Sequence, residues 1–265
     1  MPAKPITTRI LRSLLGLLVV FAAELFYRKK LSEESGEQAE NMQKITKLKS
    51  FFETIAMLGS FEAQVFYLVI AFNTMAKPAS LYLWSSMAFM TYLANELQAL
   101  YSQQRPYWLH EEIKSERCIL NYGNPSNSLM TMTFLIVSAY LHKYYEIGVK
   151  PKKMNVFCTA YIVKMAASAA TLCFLIFLTF SRVYLGASSL NQTLFGVSLG
   201  ALLAFIGHFC IKAYFLDMPE YYYTNIGGSA FRVKCCSYLS AFLLCLILPT
   251  GLAYGVFALK FYVMN

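Results

Sequence analysis

The chain has 265 residues, of which 57% are hydrophobic and 14% charged, with a net charge of +9 and a mean hydropathy of +0.47. A soluble globular domain averages about 45–50% apolar residues, so composition alone sits only slightly outside that class. Distribution excludes it: the apolar residues gather in uninterrupted blocks long enough to cross a bilayer core of about 30 Å, roughly 20 residues at 1.5 Å each.

The 23 Lys and Arg stand in short clusters between these blocks, which suits anchoring to anionic lipid and argues against nucleic acid as a partner. The seven cysteines form no spaced framework. Cys158, Cys173, Cys210 and Cys245 fall inside apolar blocks as small hydrophobic residues, whereas Cys235-Cys236 at a membrane edge suits packing or palmitoylation.

In chain order, residues 1–12 carry Lys4, Arg9 and Arg12 and no acid, a pattern shared with transit peptides and signal n-regions; here it reads as an uncleaved anchor. The first block, 10–27, is the weakest because Glu24 lies near its end, and it either crosses the membrane or lies in the interface. The polar stretch 28–50 intersperses both charges, as a solvated helix or loop does. Apolar helices are predicted at 51–74, 80–101, 125–145, 155–180, 193–214 and 236–262, the last kinked at Pro249. Tyr221, Tyr222 and Tyr223 fit an aromatic belt.

The resulting fold class is all-α, a polytopic membrane helical bundle, with 1–50 as an N-terminal anchor and polar connector and 51–265 as the transmembrane domain. Lys and Arg divide evenly between the two sides of a seven-span arrangement, so charge assigns no orientation. The Asn191–Thr193 sequon lies too close to the membrane to be modified. Glu62, Glu96 and Lys164 fall inside apolar blocks, where an ionisable group costs at least about 2.5–3.5 kcal/mol unless paired or wet. An internal Glu62–Lys164 pair, or a contact with another subunit or a head group, would offset that cost.

Gln98 and Arg105 are seven residues apart, two helical turns, and so share one face at the end of the 80–101 helix. Pro125-Ser126 supplies a proline-set start and an N-capping hydroxyl to the next helix, whose free amides and dipole suit an anion. Ser181, Ser188 and Gln192 recur at i, i+7 and i+11, one face of a helical segment. Alternate crossings put both connectors on one side of the membrane. Arg105, Arg182 and a helix N-terminus can therefore converge on one phosphate.

The stretches QALYSQQRPYWLHEEIKSERCILNYGNPSNSL (98–129) and FSRVYLGASSLNQTLFG (180–196) resemble the three phosphate-site motifs of the type 2 phosphatidic acid phosphatase superfamily. Those motifs read Lys-x6-Arg-Pro, Pro-Ser-Gly-His and Ser-Arg-x5-His-x3-Asp. Arg105, Pro106, Pro125, Ser126, Ser181, Arg182, Tyr184 and Gly186 stand where the family has or favours the same residues, and Tyr107-Trp108 is similar to the glucose-6-phosphatase branch. The resemblance implies a core of about six helices, here with about one extra span.

It also implies a chemistry whose parts are missing. In the family one His attacks phosphorus, an Asp orients it, and a second His protonates the leaving oxygen. Those positions hold Ser188, Gln192 and Ser128; the motif Lys is Gln98 and the motif Gly is Asn127. A serine hydroxyl supplies neither role of imidazole without an activating base, and a glutamine amide has no useful basicity. Of the three histidines, His142 and His208 lie outside the motifs. His110, five residues past Arg105, reads as a loop hydrogen-bonder or a substitute catalyst.

The expectation is a catalytically inactive relative with no cofactor or metal. A residual pocket of Arg105, Ser126, Asn127, Ser181 and Arg182 would hold a phospholipid head group. Its partners would be membrane lipids and other membrane subunits, as a structural or lipid-binding subunit of a complex in the endomembrane system or the mitochondrial inner membrane. The alternative is an active lipid or sugar phosphatase using Ser188 or His110. A transporter would call for a broken-helix pair or a repeat, and the sequence has neither signature.

Overall fold

Apolar blocks of this length fold as helices because hydrocarbon offers backbone amides no partner, and a helix pairs them within one segment. The computed structural model describes residues 6–44, 48–75, 77–109, 113, 121–144 and 155–211, with single positions at 251, 255 and 258. In chain order the helices are α1 (Ile6–Gln43), α2 (Lys49–Leu58), α3 (Phe61–Thr74), α4 (Lys77–Tyr101), α5 (Pro106–Leu109), α6 (Asn127–Tyr144), α7 (Asn155–Tyr184) and α8 (Leu190–Ile206). A π-helical turn, Gly207–Ile211, extends α8. No strand occurs among the described residues. Apart from the three single positions, the predicted 236–262 helix lies outside the described residues, as do His110, Tyr221–Tyr223 and Cys235-Cys236.

The predicted 51–74 helix is in fact two. α2 and α3 meet at Gly59-Ser60 with a 48° bend. Glycine is a poor helix former, and Ser60 adopts an extended conformation from which its Oγ accepts the Ala63 amide at 3.4 Å, starting a new helix. Glu62 therefore falls in the first turn of α3, where it is exposed. Lys164 lies 18 residues before Arg182 on α7, about 27 Å along the helix from the Gly59 end. The two occupy opposite ends of the bundle, and the predicted Glu62–Lys164 pair does not form.

The first block and the polar stretch after it make one continuous helix of 38 residues. α1 runs antiparallel along α8: Ser13 Oγ lies 3.7 Å from Cys210 Sγ, Gly16 faces Leu202, and the Phe21 and Phe195 rings meet edge-on at 5.4 Å. The segment Leu190–Cys210 is long and apolar enough to cross a membrane. α1 lies alongside it from Ser13 to Phe21. Its outward face exposes Leu11, Leu14, Leu15, Leu18 and Val19, as a lipid-facing helix does.

α6 is the central helix, buried on most of its circumference. One apolar cluster joins it to α3, α4 and α7 through Leu68, Leu83, Leu129, Met132 and Leu178. A second joins it to α4 and α8 through Met90, Met130, Phe134, Phe195 and Leu199. By length and composition, among the described residues, only Tyr161–Tyr184, Leu190–Cys210 and the bent α2–α3 pair pass as spans. α1, α4 and α6 are not among these, and each carries polar residues inward: Glu24 on α1, Ser80 and Gln98 on α4, Thr131, Thr133 and Ser138 on α6. α1, α4 and α7 run toward one end of the bundle and α3, α6 and α8 run away from it. The turns before α2, α6 and α8 therefore gather at that end.

Candidate functional site

α4 ends at Tyr101, and Ser102 takes a positive φ of 48° while its Oγ donates to the Ala99 carbonyl at 2.6 Å. Arg105 thus lies beyond the helix, and the predicted shared face with Gln98 does not exist. Gln98 is buried in the last turn and donates from Nε2 to the Pro125 carbonyl at 2.8 Å. Arg105 reaches the same region from the connector. Its Nε donates to the Asn121 carbonyl at 2.6 Å, its Nη2 to the Tyr122 carbonyl at 3.1 Å, and its Nη1 to the Ala187 carbonyl. The guanidinium therefore joins the turn before α6 to the turn before α8. Burial pushes its pKa below the ordinary arginine value.

Ser181, Ser188 and Gln192 do not lie on one helix. Ser181 sits in the last turn of α7, with its Oγ on the Leu178 carbonyl at 2.7 Å. The chain then reverses at Gly186, whose φ of 67° and contact with Ile113 leave no room for a Cβ. Ser188 lies in that turn and Gln192 in the first turn of α8. A turn, not helical periodicity, brings them together. Ser188 Oγ stands 3.2 Å from Ser126 Oγ. Gln192 Oε1 accepts the Ser189 amide at 3.0 Å and its Nε2 donates to the Gln104 carbonyl at 2.9 Å, while its own carbonyl accepts the Ser126 amide at 3.1 Å.

The Ser126 hydroxyl, expected to cap α6, is turned instead to Ser188. The first bond within α6 runs from the Met130 amide to the Ser126 carbonyl at 2.9 Å, so the amides of Asn127, Ser128 and Leu129 have no partner in the helix itself. Asn127 Nδ2 donates to Asn95 Oδ1 at 3.1 Å. Arg182 is buried and directs Nη2 to the Gly59 carbonyl at 3.4 Å, while Ala187 and Ser188 donate their amides to the Arg182 carbonyl at 3.1 and 3.4 Å. Both arginines therefore belong to one network at one end of the bundle.

Three contributors escaped the sequence reading. Gln64 Nε2 bridges the Gly59 carbonyl (3.1 Å) and the Ser128 carbonyl (3.2 Å), and the Gly59-Ser60 pair inside an apolar block was its signal. Glu24, read only as a weakness of the first span, is fully buried and accepts Asn124 Nδ2 at 2.9 Å. Gly196 and Gly200, a Gly-x-x-x-Gly pair, bring α8 against the backbone of α6: a Cβ on Gly196 would stand 2.9 Å from the Ser126 carbonyl oxygen.

A family model described as the PAP2 superfamily matches residues 79–215, or 137 of the 265 residues. The chain belongs to the PAP2 superfamily. The crystal structure of the first transmembrane PAP2 type phosphatidylglycerolphosphate phosphatase, from Bacillus subtilis, is similar to this protein with a TM-score of 0.57, covering 73% of this chain and 92% of that one at 16% identity. At that identity the likeness speaks for a shared PAP2 fold alone. Among curated proteins no relative matches. The PAP2 match takes in every residue from Gln98 to Gln192 and leaves α1, α2 and α3 outside it.

Proposed function

We propose that this PAP2 protein does not turn over a phosphoester and that its site end holds an anionic lipid head group, the protein serving as a structural or lipid-binding membrane subunit. The contact between Ser188 and Ser126 carries this reading. A serine attacks only when a neighbouring base takes its proton. Among the described residues the hydrogen-bond partner of the Ser188 hydroxyl is another hydroxyl. Gln192, where the resemblance places the orienting Asp, is held by backbone at both ends of its amide. Nucleophile, orienting carboxylate, proton donor and motif Lys are replaced together, whereas Ser126, Arg105 and Arg182 are kept.

The head-group half of the reading rests on what remains. The first-turn amides of α6, with the positive end of its dipole, favour an anion. Arg182 lies at the same end, and the Arg105 fork has donors beyond the three given to carbonyls. Such a site at the end of membrane-spanning helices suits a phosphate attached to a lipid.

The test is phosphate release by the full chain in nanodiscs, offered phosphatidate, a lipid diphosphate and glucose 6-phosphate. Release should equal that of empty nanodiscs; turnover that disappears in Ser188→Ala would overturn the inactive reading. Phosphatidate should raise the unfolding temperature relative to phosphatidylcholine, and Arg182→Gln should remove that difference.

A further inference from the structure

The polar second half of α1 lies outside the PAP2 match, yet it is fastened on both sides of the site. At one side the carboxylate of Glu24 holds Asn124, in the turn leading to Ser126, and is itself held by Arg28 at 2.7 and 2.6 Å. Arg28 also lies over the Tyr101 ring, 4.5 Å from its centroid, at the end of α4. At the other side Gln43 Nε2 donates to the Tyr184 carbonyl at 2.9 Å, at the head of the turn leading to Ser188. Beside it Ala39, only 1% exposed, packs with Ile113 and Val183. Gln43 stands 19 positions beyond Glu24 on the helix, about 28 Å along its axis. The helix therefore continues past its contact with α8 and crosses the site end from the α6 turn to the α7 turn.

A helix that merely projected into water would not bury Ala39 or commit the Gln43 amide to a backbone carbonyl. We propose that residues 28–43 of α1 form a strap closing the aqueous mouth of the pocket, so that the pocket admits amphiphiles arriving from the bilayer and excludes water-soluble phosphates. The closure rests on the contacts of α1; the ligand class rests in addition on the head-group reading above.

Thiol labelling tests the closure without reference to any ligand. The full chain carrying Ser188→Cys, with its native cysteines replaced by Ser or Ala, would be treated in nanodiscs with a membrane-impermeant maleimide. Ala39→Glu forces a carboxylate into the contact with Ile113 and Val183 without touching the pocket, and it should speed labelling about tenfold or more. Equal rates with and without Ala39→Glu would overturn the strap. Hydrogen exchange over 121–127 and 185–189, in the native-cysteine chain and its Ala39→Glu variant, provides a second measurement independent of the cysteine replacements. Exchange should quicken in both segments, and unchanged exchange would overturn the strap equally.

For the ligand class, inorganic phosphate should leave the unfolding temperature of the native chain unmoved and raise that of Ala39→Glu. Phosphate raising it in the native chain would overturn the exclusion. If labelling accelerates but neither chain responds to phosphate or phosphatidate, the closure stands and the head-group reading, with the ligand class, falls.

Discussion

Arg105 shows how far a residue type and its spacing lead. The Arg-Pro pair and its distance from Gln98 point to an anion-binding guanidinium, and the residue does lie at the site end. Its donors nonetheless go to the carbonyls of Asn121, Tyr122 and Ala187, residues that no spacing rule connects to it. A buried carbonyl stripped of its partner costs about 1–3 kcal/mol, and a lysine ammonium, a point donor, cannot span what a planar fork spans. Arg105→Lys should therefore lower stability by about 2 kcal/mol or more, read as a drop in the chain's unfolding temperature in detergent whether or not phosphatidate is present. A loss seen only with phosphatidate present would instead make Arg105 chiefly a ligand-binding residue. Ser188 teaches the complement. Its lack of imidazole is plain from sequence, but the hydroxyl it faces came only with the fold.

Among the elements, the α6–α8 contact depends on two glycines. A Cβ on Gly200 would run into the backbone carbonyl of Met130, which can yield only if the helices part. A Cβ on Gly16 would meet the Leu202 Cδ1 at 3.1 Å, the far end of a side chain free to rotate. Gly200→Ala should then cost about 1–3 kcal/mol, the range for overpacking, whereas Gly16→Ala should change stability by about 0.5 kcal/mol or less. Unfolding in a detergent–denaturant titration compares the two, and equal effects would mean that α6 and α8 are not held by close backbone approach. The helices themselves were legible from apolar runs, because hydrocarbon enforces backbone pairing. The break at Gly59-Ser60 was not: glycine inside an apolar block is tolerated until a neighbour uses the carbonyl it exposes, and here Arg182 and Gln64 both do. Charge patterning alone does not distinguish helix from loop through residues 28–43, and the continuity of α1 there came only with the fold.

Across the whole molecule, chain direction alternates so that the start of α1 and the end of α6 share one face while the turn before α2 lies on the other. Thr8 and Lys143 are exposed on the first and Leu48 on the second. Cysteines placed at Thr8 and Lys143 should be labelled by an impermeant reagent from the same side of sealed vesicles, and one at Leu48 from the opposite side. Labelling of Thr8 and Lys143 from different sides would mean that α1 does not cross beside α8.

By itself the sequence determined that the chain is a helical membrane protein and that its motifs follow the order and spacing of one superfamily, since apolar length and residue order are properties of the chain before any packing. Only the tertiary structure decided what each motif residue touches. Those partners stand 16 to 123 positions away for the two arginines. A hydrogen bond depends on angstrom-scale geometry between groups brought together by helix packing, which local residue patterns do not carry. The same reason applies to α1, whose buried carboxylate looks like a flaw in a span until Asn124 is set beside it.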